Sequence, residues 1–151
     1  MKRTSLSTDA CPIARSLDLV GEWWSLLILR ESFSGVRRFK DFEQRLGIAR
    51  NILSTRLKKL TEAGVLERRP STEDAREVDY RLTAMGRELG TVLIALAQWG
   101  QRWTDPGGDS PHFVNRHSGA SLLPLQLIDA DGQALQLRDV GMVVVPATST
   151  G

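Results

Sequence analysis

A chain of 151 residues that is 41% hydrophobic and 25% charged has the make-up of one folded domain with room for a short appendage, which excludes a disordered polymer. Its apolar runs, such as Leu26 to Leu29, are too short for a membrane span; residues 1–7 lack the apolar stretch of a secretory signal; and one cysteine with two histidines excludes an internal disulfide and a four-ligand zinc site, so the expectation is a soluble cytoplasmic protein. The net charge of +2 conceals a division, because residues 1–103 carry +5, residues 104–151 carry −3, and residues 37–69 alone carry +6, a basic patch of the kind that meets a polyanion.

The first predicted helix opens at Cys11-Pro12, since proline suits the first helical turn, and ends at Gly21, with Ile13, Leu17 and Val20 on one face. A second helix spans residues 22–32 with Trp24, Leu27 and Ile28 facing inward, and 33–35 end it. A short third helix, residues 39–46, has Phe39, Phe42 and Leu46 as its apolar positions, and Gly47 supplies a tight turn. The fourth helix, residues 49–63, closes at Gly64. Its Leu53, Leu57 and Leu60 recur at the spacing of a buried stripe. The opposite face presents Asn51, Ser54, Thr55, Lys58 and Lys59, flanked by Arg50 and Arg56, and no acidic residue precedes Glu62 on this helix.

Residues 65–69 and 77–82 read as two strands joined by the turn-rich loop 70–76, a hairpin. Thr83 caps a long helix over residues 84–103, whose Leu89, Val92, Leu93, Leu96, Trp99 and Trp103 make a nearly heptad stripe. The run Thr104-Asp105-Pro106-Gly107-Gly108-Asp109-Ser110-Pro111 is rich in turn formers and reads as a linker. Strand-like segments at 122–128, 133–137 and 142–145 follow, the first two joined through Asp131-Gly132, so a small β appendage is expected. The domain plan is 1–103 for a mainly helical domain with a hairpin, 104–116 for a linker and 117–151 for a β-rich extension.

A short helix, a glycine turn, a helix with a buried stripe and then a hairpin form the pattern of a winged helix-turn-helix, in a mainly α fold with a small β wing. The second helix of such a motif enters the major groove with its N-terminal side chains at base edges. Asparagine can pair with adenine, arginine with guanine, and serine or threonine with either, which nominates Arg50, Asn51, Ser54 and Thr55 as base readers. Arg37, Arg38, Lys40, Arg56, Lys58 and Lys59 are nominated for phosphates, and Arg68, Arg69 and Arg76 for phosphate contacts from the wing.

The residues also carry a resemblance. Cys11-Pro12, the run Leu19-Val20-Gly21-Glu22-Trp23-Trp24-Ser25-Leu26-Leu27-Ile28-Leu29-Arg30-Glu31 and the run Gly35-Val36-Arg37-Arg38-Phe39-Lys40-Asp41-Phe42 resemble the HxlR family. So do the run from Leu46-Gly47-Ile48 through Arg56-Leu57, the turn Ala63-Gly64-Val65-Leu66 and Tyr80-Arg81-Leu82-Thr83. This is a family of bacterial winged-helix regulators with MarR-like architecture, and the resemblance runs in register from Cys11 to Trp103. It implies a homodimer built from the first and last helices, with Ile13, Leu17 and the stripe Leu89, Val92, Leu93, Leu96, Trp99 and Trp103 at the seam, bound to an inverted repeat of double-stranded DNA. An apolar stripe on a small protein points the same way. The extension, with Arg116-His117-Ser118-Gly119 and Leu137-Arg138-Asp139-Val140, looks like that of longer family members.

Three departures from the family stand out. Trp23 replaces the usual basic residue before the tryptophan matched by Trp24; the wing loop carries Glu73, Asp74 and Glu77; and the extension has no cysteine with which to hold a metal. For sensing, Cys11 falls where many relatives place a redox-active cysteine, at a helix N-terminus whose dipole favours a thiolate. The competing signal is a flat aromatic or quinone-like effector held between two of Trp23, Trp24, Trp99 and Trp103. No phosphate loop, metal cluster or nucleophile with a base suggests an enzyme or a cofactor, and Tyr80 alone is too little for a single-strand stacking platform. A winged helix serving as a protein-interaction module, or a thiol redox sensor without specific DNA binding, is the remaining alternative.

Overall fold

The structure, a computed structural model, describes residues 5–104 and 107–146; residues 1–4, residues 105 and 106 of the expected linker and residues 147–151 of the expected extension lie outside that description. The order is α1 (Pro12–Val20), α2 (Trp23–Phe33), α3 (Phe39–Leu46), α4 (Arg50–Glu62), β1 (Leu66–Pro70), β2 (Val78–Leu82) and α5 (Ala84–Trp103), followed by β3 (Leu127–Ile128), β4 (Ala134–Leu135) and a single 3-10 turn, Leu137–Asp139. This is the winged helix-turn-helix expected from the sequence pattern. No helix among the described residues is long and apolar enough to cross a membrane.

Local chemistry sets the boundaries. Pro12 starts α1, and Gly21 ends it with its N–H on the Leu17 carbonyl. Gly47 terminates α3 at φ 60°, a left-handed conformation that costs glycine little, and so turns the chain within two residues into α4. The α3–α4 corner is sealed by Phe42 and Ile48, both buried. Leu53, Leu57 and Leu60 of α4 are wholly buried and join Ile28, Leu29, Val65 and Leu66 in one core. On α2 the fully buried positions are Ser25, Ile28 and Leu29, while Trp24 only packs against the core, so its inward face is turned by one residue from the expected one.

β1 and β2 pair antiparallel, with Leu66 opposite Leu82 and Arg68 opposite Tyr80. The segment before α3 adds to this hairpin: Arg38 pairs with Asp79, and the Tyr80 N–H donates to the Arg37 carbonyl at 2.7 Å. The wing is thereby tied to the entry of α3. At the other end of β2, the Thr83 hydroxyl donates to the Gly64 carbonyl and accepts the Gly86 N–H at 3.1 Å, capping α5 and anchoring it to the end of the α4 turn. Gly86 lies so close to β1 that a Cβ there would collide with the Val65 carbonyl.

The chain divides into two compact units between Ala97 and Gln98, within α5. Gln98 donates to the Leu123 carbonyl and accepts the Leu125 N–H, each at 2.9 Å, so the end of α5 belongs with the tail. Within this second unit, Asp129 and Gly132 form the expected hairpin turn, Gly132 at φ 81°, but the paired strands shrink to two residues each. Residues 142–145, expected as a strand, are not one: they have no ladder partner among the described residues and lie open to solvent.

Candidate nucleic-acid interface

The site is the outer face of α4 with the wing beside it. Its inner stripe fixes the helix against α2 and α3, so the polar positions between the leucines must face out. Arg50, Asn51, Ser54 and Thr55 are all exposed on the first turns of α4. Ala49, the residue before the helix, offers no side-chain cap, which leaves the positive end of the helix dipole open on the same side as these groups. Arg50 lies over the Phe39 ring at 4.9 Å and within 3.4 Å of Glu43, so its guanidinium is held at the α3–α4 corner. Thr55 donates its hydroxyl to the Asn51 carbonyl at 2.9 Å, which leaves its oxygen lone pairs outward as acceptors.

The structure separates the cations nominated for phosphates into two groups. Arg37, Lys40, Lys58, Arg68, Arg69 and Arg76 stand exposed, with Lys58 paired only loosely to Glu62 at 3.8 Å. Arg56, Lys59 and Arg38 are less exposed and already bonded to oxygens of the protein. Arg56 meets Glu22 at 3.1 Å, both half-buried, and so ties α4 to the start of α2. Lys59 donates to the Asp18 carbonyl and ties α4 to α1. Arg38 is taken up by Glu73 at 2.6 Å and Glu77 at 3.0 Å. A buried or half-buried cation that already satisfies a neighbouring oxygen has less to offer a phosphate.

The acidity of the wing is likewise paired off. The backbone N–H and guanidinium of Arg76 hold Asp74 below the usual carboxylate range. Arg81, hydrogen-bonded at 2.9 Å, holds buried Asp79 below that range against the opposing effect of burial. Arg68 lies over Tyr80 at 5.8 Å and Arg69 meets Glu67 at 2.9 Å, which leaves both guanidinium groups at the wing surface. Glu31 is a polar group that sequence reasoning missed. Burial raises its pKa, but hydrogen bonds from Arg45 at 2.6 Å and Arg30 at 2.8 Å outweigh burial and hold it down. It locks α2 to α3, the helix that supports α4. Its only sequence signal was a carboxylate among apolar residues of α2.

The nominated seam divides by face. Leu93, at 8% exposure, is core and Leu89 is half-buried, so these two pack within the chain; Val92, Leu96, Trp99 and Trp103, at 45%, 48%, 60% and 66%, share the outer face of α5. Ile13 and Leu17 of α1 are exposed as well. Cys11 is exposed at the start of α1, its N–H on Asp9 at 2.8 Å. Of the tryptophans, Trp23 is exposed and Trp24 half-buried, their rings tilted with centroids 5.4 Å apart. An apolar groove of about 270 Å³ is lined by Leu19, Val20, Val65, Met85 and Leu89 with Ser16 and Glu88, and contains no tryptophan.

Comparison with known proteins agrees with this geometry. The model of the HxlR-like helix-turn-helix family matches residues 19–107. An uncharacterised HTH-type transcriptional regulator of Mycobacterium tuberculosis is 46% identical over 130 residues, 85% of this chain and 82% of that one. The crystal structure of PA1607, a candidate transcription factor, superposes with a TM-score of 0.86 at 39% identity, over 93% of this chain and 99% of that one. The reduced form of the redox regulator HypR superposes at 0.56 with 26% identity, over 63% of this chain and 95% of that one. With a glycine turn, a buried leucine stripe and a paired wing in the matched segment, this chain belongs to the HxlR-like helix-turn-helix family.

Proposed function

We propose that this chain is a transcriptional regulator that binds double-stranded DNA sequence-specifically, as a homodimer on an inverted repeat, and represses by occupying an operator. The observation that carries the reading is the outer face of α4: Arg50, Asn51, Ser54 and Thr55 exposed together at the uncapped start of a helix whose other face is wholly buried. Such a helix offers base-pairing groups to a major groove and keeps its rigidity from the core. Lys58 and Lys40, with Arg37, supply phosphate contacts around it, and Arg68, Arg69 and Arg76 supply them from the wing. The exposed apolar face of α5 and the exposed Ile13 and Leu17 support dimerisation, because so much apolar surface is unfavourable in water.

The test is a gel shift at near-physiological salt with DNA from upstream of the chain's own coding sequence, against random DNA of equal length. The expected preference is about a thousandfold or more, the lower range for specific binders. Equal affinity for both DNAs would overturn sequence-specific binding there. A second reading, oxidant control through Cys11, is favoured by the exposure of that thiol at the start of α1, a helix of the proposed dimer seam. Cys11→Ser should then abolish any loss of the shift on oxidation while leaving reduced binding intact; an unchanged oxidant response removes Cys11 from the mechanism.

A further inference from the structure

We propose that Arg38 is the clamp that fixes the position of the wing, and that it acts as a positioning residue instead of a phosphate ligand. Its guanidinium gathers groups from three successive parts of the wing: Glu73 in the loop at 2.6 Å, Glu77 just before β2 at 3.0 Å, and Asp79 within β2 at 4.0 Å. It also donates to the Ser71 hydroxyl at 3.3 Å. The backbone of the same residue pairs with Asp79, so main chain and side chain of Arg38 hold the same strand. Ser71 in turn donates its N–H to the Glu77 carbonyl at 2.9 Å and accepts the Glu73 N–H at 3.2 Å, closing the loop around the guanidinium.

An exposed ion pair is weak, and Glu73 is exposed over 80% of its side chain. One guanidinium shared by several carboxylates is different, since its ordering cost is met once and its planar fork donates in several directions. A phosphate approaching Arg38 would meet the carboxylates first. Glu73 and Glu77, which look repulsive to DNA in the sequence, are therefore the fastening that holds the basic strand edge of Arg68 and Arg69 beside α4.

The experiment uses the full chain and two variants, Arg38→Met and the double substitution Glu73→Gln with Glu77→Gln. The first arm is amide hydrogen exchange without DNA. Both variants should speed exchange at Ser71 and Tyr80 by about tenfold or more while α4 stays protected, since local opening governs such rates. Exchange unchanged in both variants would overturn the clamp. The double variant alters only exposed side chains and keeps the test open if Arg38→Met fails to fold. The second arm rests on the DNA-binding reading and measures the salt dependence of binding to a random duplex. Arg38→Met and the double variant should change the slope of log K against log salt alike, because both release the same wing with Arg68 and Arg69, whereas Arg37→Met should lower it by about one on its own. A drop of about one for Arg38→Met that the double variant does not share would make Arg38 a phosphate ligand and overturn the proposal. If the wild-type chain binds no DNA, the functional reading fails, and the exchange arm still decides the clamp.

Discussion

Asn51 and Lys58 are both exposed on α4, yet they should fail differently when truncated. Asn51→Ala should cost about 1–3 kcal/mol on operator DNA and little on random DNA, because a bidentate base contact is lost. Lys58→Ala should weaken both DNAs alike and lower the salt slope by about one. Titration of both variants on both duplexes checks this, and equal losses for Asn51→Ala would end its assignment as a base reader. Glu31 carries a prediction of another kind. Since its folded pKa lies below the ordinary 4.5, its contribution to stability is complete above that value and is lost as the pH falls through the lower folded one. Glu31→Gln should therefore cost on the order of 1–2 kcal/mol at neutral pH, with the gap to wild type closing under acid. Urea unfolding at pH 7 and in acid reads this directly, and a gap of the same size at both would refute it. The exposure of Arg50, Asn51, Ser54 and Thr55 was legible in the sequence because it follows from the leucine period. The partners of Arg56 and Arg38 were not, since Glu22 and Glu73 are far away along the chain and meet them only once the helices are packed.

At the scale of elements, α3 and α5 have the boundaries that the pattern predicts, because Gly47 and Thr83 are strong local signals that act without tertiary help. The tail strands were overestimated for the opposite reason. Alternating apolar residues propose a strand, but a strand needs a neighbour to accept its backbone bonds, and residues 142–145 have no ladder partner among the described residues. The stripe on α5 was legible as a stripe, whereas its division into a core edge at Leu93 and an open edge at Leu96 depends on where the helix docks. That docking rests on Gly86. Gly86→Ala should push α5 away from β1 and destabilise the fold by about 1–3 kcal/mol, despite alanine's better helix propensity. A chemical denaturation midpoint tests it, and an unchanged or raised midpoint would mean that the contact yields freely.

For the whole molecule, the prediction concerns assembly. Leu96→Glu places a charge on the open face of α5, where the side chain is exposed, so the monomer fold should survive while association fails. Sedimentation should show a monomer, and affinity for an inverted repeat should fall by about a hundredfold or more as the second half-site becomes an independent event. A variant that stays dimeric would locate the seam elsewhere. The resemblance was legible in the sequence from Cys11 to Trp103, and the family model matches residues 19–107, but the attachment of the tail through Gln98 was not legible, because an amide on a helix gives no hint of which backbone it will meet. The joint at Thr83 and Gly86 has a last consequence. With a hydroxyl bonded to the turn after α4 and no room for even a methyl group beside Val65, the base of α5 is closely seated and can serve as a pivot. A helix of 20 residues is about 30 Å long, so a few degrees of tilt between two such helices become ångströms of travel elsewhere. In the proposed dimer, whatever alters the crossing of the two α5 helices resets the gauge between the two α4 helices, and the spacing of DNA half-sites becomes the quantity on which any signal is read out.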